Sequence, residues 1–386
     1  MSPHRTKPTG DFYTTCFEAE GGGDDKVILN MGPQHPSTHG VLRIIVEIEG
    51  EYILRAEPVL GYLHRMHEKM GEVKTWQQYL PNMGRVDYLH AIAWNWAYVG
   101  AVERLAGIEV PRRAEFIRVI TCELNRINSH LLWWGAYVLD LGGFTPIVYA
   151  FEDRERIMDL LQMPTGSRLT YCYLRFGGVR QDIPNEFIEG VRSFLKDFKS
   201  RLSMYKSLVT DNFIFRKRCE GIGHLPLETA RKFGVTGPAI RGSGLDYDLR
   251  RSEPYSVYPE LDFNIPVYDE GDAMARYLVR MDEMAESVKI IEQALEMMPE
   301  GDFINPKAPK RIKAPKGDAY FAVEGARGKI GVFVASDGSQ IPYRVKLRSP
   351  SFCNLSVFDE LVRGTLLADA VSILGSLDVV IPEIDR

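Results

Sequence analysis

The stretch RRAEFIRVITCELNRINSHLLWWGAYVLDL, from Arg112 to Leu141, decides the architecture. Within it Ile117, Ile120, Leu124, Ile127 and Leu131 recur at the alternating intervals that line one face of an α-helix. Pro111 stands before the stretch and Gly142-Gly143 after it. Proline suits a helix start, where the first N–H groups have no partner, and glycine suits the turn beyond the last carbonyl. The stripe is read as core rather than as a cofactor box, so other elements must be built around this helix.

Working outward, 83–106 reads as a second long helix, and 149–163, 184–210, 227–233 and 271–298 as further ones. Toward the start, 26–29 reads as a strand, 32–40 as a Gly/Pro/His loop, and 41–48 with 52–56 as paired strands turned by Glu49-Gly50-Glu51. Toward the end, 299–316 is a connecting loop rich in Pro and Lys. The segments 319–324, 329–335 and 343–347 read as a small sheet with a turn at Asp337-Gly338, and 357–374 as a last helix. The expected fold class is α+β, a central long-helix bundle with small N-terminal and C-terminal β-sheets. The expected organisation is a flexible segment 1–25, an N-terminal sheet and loop 26–60, a helical core 61–298, and a C-terminal part 299–386 packed on that core. No internal repeat is present.

Among 386 residues 45% are hydrophobic and 26% charged, the balance of a chain that buries a large core. A formal charge of −5 has the wrong sign for a protein that lives on phosphate backbones, so nucleic acid is not an expected partner. Cys16, Cys122, Cys172, Cys219 and Cys353 are scattered, odd in number and without a short repeated spacing. That argues against a disulfide framework and suits a reducing compartment. The apolar runs near Ala91 and Leu131 are interrupted by Asn95 and Asp140 and fall short of the ~20 residues a spanning helix needs. A chain without a membrane span or a leader is expected, on the cytoplasmic side.

The loop Gly32-Pro33-Gln34-His35-Pro36-Ser37-Thr38-His39-Gly40 is the least ordinary piece. Two histidines four apart could share a metal on a helix, but Pro36 disfavours helical backbone there. Taken alone, polar turn residues are the ordinary reading, with glycines that let a loop reach into a cavity.

Three later stretches change this: Gly61-Tyr62-Leu63-His64-Arg65, Arg85-Val86-Asp87-Tyr88-Leu89 and Leu139-Asp140-Leu141-Gly142. Further pieces follow in Phe151-Glu152-Asp153-Arg154-Glu155, Phe176-Gly177-Gly178-Val179, Gly237-Pro238-Ala239-Ile240-Arg241, Tyr277-Leu278-Val279-Arg280, Pro342-Tyr343-Arg344 and Glu383-Ile384-Asp385-Arg386. In order and in register, from about Asn30 to the end, the set resembles the D-subunit family of proton-pumping NADH:quinone oxidoreductase, respiratory complex I. That family is similar in fold to the NiFe-hydrogenase large subunit, whose metal is held by two Cys-x-x-Cys pairs. Here the matching neighbourhoods, 85–90 and 378–386, contain no cysteine. Soft thiolates are what would hold nickel and iron, so no metal is expected in this chain and the vacated cavity is expected to take a quinone.

The resemblance implies that His39 and Tyr88 donate hydrogen bonds and protons to the quinone headgroup, with Asp140 as the carboxylate paired to His39 and His35 lying in the same quinone-binding loop. Imidazole and phenol can each give one such bond, and an adjacent carboxylate favours imidazolium. Asp140 at a helix C-terminus opposes the macrodipole, so local stability does not explain it. For Tyr88 alone, a core residue with a satisfied hydroxyl would be the ordinary reading. Electrons are expected from a 4Fe-4S cluster in a partner, since these cysteines do not group. Arg65 resembles a family arginine that tunes that cluster. Where many relatives carry a histidine near the cluster, Leu169-Thr170-Tyr171 stands here, which implies a cluster potential less dependent on pH.

The partners implied are the iron–sulfur small subunit (the B component of the complex), the C and I components and the H component in the membrane, with membrane contact made through partners at the cytoplasmic face of the inner membrane. The expected function is that of a proton-translocating NADH:quinone oxidoreductase component that forms the quinone-reduction pocket and couples electron transfer to proton translocation. Alternatives are a ferredoxin- or deazaflavin-driven relative, a hydrogenase-type protein with nickel, and a non-catalytic structural connector.

Overall fold

The computed structural model describes residues 26–35 and 40–386, without the side chain of His35. The expected flexible segment 1–25 and His39 lie outside the described residues.

The helix expected from 112 to 141 runs Arg112–Asp140. Ile117, Ile120, Leu124, Ile127 and Leu131 are all fully buried. So are its charged and polar residues Arg118, Glu123, Asn125, Arg126 and His130, because the helix is enclosed on every side rather than along one stripe. Thr145–Thr165 and Ala273–Met297 pack along it. Ala91–Ala106 lies against the antiparallel hairpin Gly317–Gly325 and Gly328–Ser336, which Arg344–Arg348 extends to three strands. At the other end Arg43–Glu49 sits between Lys26–Met31 and Tyr52–Val59 in a second antiparallel sheet. Mixed α+β architecture is therefore observed, with a helical centre and small sheets.

One apolar core holds the helices and the C-terminal sheet. A second joins Leu42, Ile44, Val46 and Ile53 of the N-terminal sheet to Leu355, Phe358, Leu374 and Ile381. The first and last parts of the described chain thus bury each other's apolar faces, which stabilises by roughly 25 cal/mol per Å² removed from water.

Two expected helices are broken. The helix expected over 83–106 begins only at Ala91: Met83 is the last residue of a separate helix, Trp76–Met83, and a turn at 84–90 leads to Ala91–Ala106. Gly84 approaches the neighbouring chain so closely that an added Cβ would lie 2.8 Å from the Tyr171 carbonyl oxygen. The span 357–374 divides into Phe358–Val362 and Leu367–Leu377. Between them Gly364, at φ +77°, donates its N–H to Ile53 O at 2.7 Å, and Ile53 N donates to Thr365 O at 2.9 Å. In both places a contact from a distant part of the chain outcompetes helical hydrogen bonds that the local pattern favours.

Candidate functional site

The break at 84–90 exposes one side of Tyr88 and fixes its neighbours. Asp87 is buried; its Oδ1 accepts the N–H groups of Leu89 (2.9 Å) and His90 (3.2 Å), while Oδ2 accepts from Arg327 Nη1 at 2.8 Å. His90 ties the same turn to the C-terminal hairpin, its Nδ1 accepting the Ala326 N–H at 2.9 Å. With Nδ1 an acceptor, the ring proton sits on Nε2, which faces the Cys122 carbonyl at 3.2 Å. Burial first, then Arg126, holds His90 well below the ordinary histidine range, so it stays neutral and structural.

Arg327 is the hub. Nη1 also donates to Ser129 Oγ at 3.1 Å, and Nη2 to Asp378 Oδ1 at 3.3 Å. Asp378 ends the helix Leu367–Leu377 in the left-handed conformation, φ +53°. Arg280 Nε lies 3.8 Å from Asp378 Oδ2, with its guanidinium 4.5 Å from the Trp133 ring centre. The two neighbourhoods singled out in the sequence, 85–90 and 378–386, therefore meet at one buried guanidinium.

The short helix Ile381–Asp385 draws in two more segments. The Asp385 carboxylate accepts the N–H groups of Gly61 (2.9 Å) and Leu63 (2.7 Å), and His64 Nδ1 bonds the Asp385 carbonyl at 2.8 Å. Arg65 follows directly and is exposed. Gly40, at the end of the Gly/Pro/His loop, abuts Ile381, where an added Cβ would stand 3.3 Å from Cγ1. His35 belongs to a two-residue strand and pairs with Gly40, Gln34 with Val41. The root of the loop is placed beside the C-terminal helix, whereas His39 is among the undescribed residues.

Asp140 is the half-buried last residue of the long helix. It follows Ser129, the residue touching Arg327, by about three turns, which is roughly 16 Å along the axis. The structure thus gathers Tyr88, Arg65 and the His35 strand around the C-terminal helix and sets Asp140 apart from Arg327.

Tyr88 is pushed above the ordinary phenol value by burial and then by Asp87, against the pull of Arg327 and Arg154. It stays a proton donor at neutral pH. Arg154 is also buried and lies 5.5 Å from the Phe151 ring centre, its Nε without a partner among the described residues. Burial lowers its value, while Tyr171, Glu155 and Tyr88 oppose that. Thr170 takes φ +50° and packs on Gly84, so the stretch standing in place of the family histidine does border the Tyr88 turn.

Sequence reasoning missed Asp87, Arg327, Asp378 and Glu383 as members of one cluster. Asp87 and Glu383 lie in the motifs and Asp378 in the neighbourhood 378–386, but nothing local reveals that Arg327, 240 positions from Asp87 and 51 from Asp378, ties them together. Among the described residues there is no group of three or more His, Cys, Asp or Glu side chains placed to hold a metal ion. No described helix is long and apolar enough to cross a membrane.

The family profile described as respiratory-chain NADH dehydrogenase, 49 Kd subunit, matches residues 140–313 and 307–386. A protein of Opitutus terrae, named as the second D-type subunit of NADH-quinone oxidoreductase, is 60% identical over 358 residues, covering 93% of this chain and 90% of that one. The D-type subunit of NADH-quinone oxidoreductase from Desulfotalea psychrophila is 58% identical, covering 94% and 98%. The protein of the same name from Geobacillus thermodenitrificans is 48% identical, covering 94% and 99%.

Proposed function

Because this chain belongs to the family of the 49 kDa subunit of respiratory-chain NADH dehydrogenase, we propose that it forms the quinone-reduction pocket of a proton-translocating NADH:quinone oxidoreductase. The observation that carries the reading is the convergence of Asp87 and Asp378 on Arg327. In this reading the two segments are the counterparts of the metal-binding neighbourhoods of a hydrogenase-like fold. Here they present carboxylates and a guanidinium, with Tyr88 beside them, and no thiolate. Such a set suits a substrate that takes up protons rather than a soft metal ion.

A quinone headgroup accepts hydrogen bonds from Tyr88 and His39. Asp140 prepares His39 to release a proton, and His35 lies in the same loop. The 4Fe-4S cluster of the iron–sulfur small subunit supplies the electrons, with Arg65 on the exposed edge toward it. The C and I components and the H component in the membrane complete the surroundings, at the cytoplasmic face of the inner membrane, and coupling to proton translocation passes through them. Exposed apolar side chains support a partner surface near the end of the long helix. Phe144 and Val148 are 70% and 57% exposed, and Phe213 and Ile214 are 72% and 68% exposed. Phe215, next to the last two, packs 5.9 Å from Tyr137 of that helix.

The test is Tyr88→Phe and His39→Ala in the assembled complex. Each is expected to lower quinone reduction about 100-fold, the low end for loss of a positioned acid, while electron transfer into the cluster and assembly are kept. Turnover unchanged in both variants would leave a structural connector as the function.

A further inference from the structure

Glu383 is fully buried on the helix Ile381–Asp385, and the proposed chemistry gives it no task. Its Oε1 accepts from Ser349 Oγ and from the Ser351 N–H, both at 2.9 Å. Its Oε2 has no partner among the described residues. A buried carboxyl oxygen without a donor costs free energy if ionised and much less if it carries a proton. Asp378 Oδ2 also has no hydrogen-bond partner among the described residues, but Arg280 Nε lies 3.8 Å from it.

The surroundings decide which carboxyl keeps the proton. Asp87 uses both oxygens as acceptors, two backbone N–H groups on one and Arg327 on the other, so each of its oxygens already has a donor. Asp378 accepts from Arg327 and lies near Arg280. Glu383 has no ion pair among the described residues. Facing it are Asp87 from the turn, Arg327 from the hairpin bend, and Ser349 and Ser351 from the start of the helix Pro350–Ser356. Asp385 and Arg386 lie on its own element, turned to the 61–64 loop and to the Leu347 carbonyl. Burial first, then Asp87, raises Glu383 to about 7, against Arg327 and the two hydrogen bonds. The two charges that act on Glu383, Asp87 and Arg327, are also among those that act on Tyr88.

We infer that Glu383 is the proton store of the pocket, a positioning residue that holds a proton at rest and passes it to Tyr88 after the phenol has given its own to the substrate. This rests on the reading of the Tyr88 site as the quinone pocket. Reduction of a quinone to a quinol takes two electrons, from the partner's cluster, and two protons. One proton comes from Tyr88: its O–H bond breaks as an O–H bond forms on a quinone oxygen, leaving a phenolate. The other comes from His39, as in the proposed function. The Glu383 carboxyl then loses its proton to the phenolate and becomes a carboxylate near Arg327, to be reloaded from solvent.

The experiment uses the assembled complex in membranes, with turnover measured at saturating ubiquinone across pH 5.5–9 and redox-induced infrared difference spectra recorded at pH 6, values chosen to bracket the ordinary and shifted carboxyl ranges at roughly one unit or more. The native complex is expected to lose turnover on the alkaline side with a midpoint near neutrality and to show a protonated-carboxyl band. Glu383→Gln is expected to lower turnover at pH 6 about 10-fold, to abolish the alkaline limb and to remove the band; Glu383→Asp restores both. An unchanged limb and band in Glu383→Gln would overturn the inference. Should that variant fail to assemble, Ser349→Ala decides. Loss of a donor to the charged form must move the limb to higher pH, and a limb that stays put overturns the proposal. Tyr88→Phe separates the two ideas: if it leaves turnover intact, the pocket reading fails, whereas a slowed Tyr88→Phe beside an unaltered Glu383→Gln profile sinks only the proton store.

Discussion

Two buried ionic clusters lean on the long helix, and they are finished differently. The central one comprises Glu123, Asp248, Glu283 and Glu324 with Arg126, Arg241, Arg250 and His130. Glu123 Oε1 accepts from Tyr258 (2.7 Å) and Arg250 (3.2 Å), and Oε2 from Ser287 (2.7 Å) and Arg126 (3.0 Å). Asp248 takes Arg250 on both oxygens. Glu283 takes His130 and Arg241, and Glu324 takes Arg241 and the Leu249 N–H. No carboxylate oxygen of this cluster lacks a partner among the described residues. Around Arg327, by contrast, Oδ2 of Asp378 and Oε2 of Glu383 both do. The carboxylates of the first cluster are saturated with donors, although Arg126 Nη1, Arg241 Nε and His130 Nδ1 have no hydrogen-bond partner among the described residues, and the cluster serves to hold distant segments on the helix. The second keeps acceptor capacity in reserve, as the proposed exchange of protons with a substrate requires.

That contrast is broken most directly in the saturated cluster. Glu123→Gln or Arg250→Met leaves buried charges uncompensated and is expected to destabilise the protein by about 3–5 kcal/mol. Pulse proteolysis of the complex would read it, and a loss below about 1 kcal/mol, the size of a surface pair, would contradict the assignment of a structural role.

The next effect is in pH, where Glu123 and Glu383 have opposite signs. Burial would raise Glu123, but Arg126 and Arg250, with Ser287 and Tyr258, outweigh it and hold the group down to about 2. Its stabilisation is therefore present above the ordinary carboxyl value and is lost as pH falls toward 2. Glu383, raised to about 7, contributes stability that is complete below the ordinary carboxyl value and is lost as pH rises through 7. In proteolysis profiles Glu383→Gln should remove an alkaline-side loss of roughly 3 kcal/mol at most, and Glu123→Gln should remove an acid-side one. Parallel shifts of both variants would show that the clusters do not differ in this way.

The smallest effect sharpens the comparison. Asp378→Asn retains a side chain that tolerates the left-handed backbone and discards a charge whose second oxygen has no hydrogen-bond partner among the described residues, only Arg280 Nε at 3.8 Å. A cost of about 1–3 kcal/mol is expected, below that of Glu123→Gln because Arg327 keeps Asp87 as a partner; it is measured by the same proteolysis, and a cost equal to that of Glu123→Gln would erase the distinction.

Much of this was legible in the sequence. Helical periodicity located 112–141, and the alternation of apolar residues located the paired strands, because both depend on residues a few positions apart. Tyr88, Asp140 and the Gly/Pro/His loop also stood out as unusual, through motifs that resemble one family. The break at 84–90 did not, since the local pattern there is as helical as that of its neighbours. Gly84 breaks the helix because the Tyr171 carbonyl lies against it, and Asp87 turns inward because Arg327, far along the chain, waits for it.

What the residues determined by themselves was most of the helices and strands and the absence of cysteine from 85–90 and 378–386. What only the tertiary structure decided was which charges share one buried space, and hence which carboxyl is pushed up and which is held down. Hydrophobic pattern is written in near neighbours, whereas the ionisation of a buried acid depends on distance to every charge around it. Those distances exist only once residues 87, 327, 378 and 383 have been folded together.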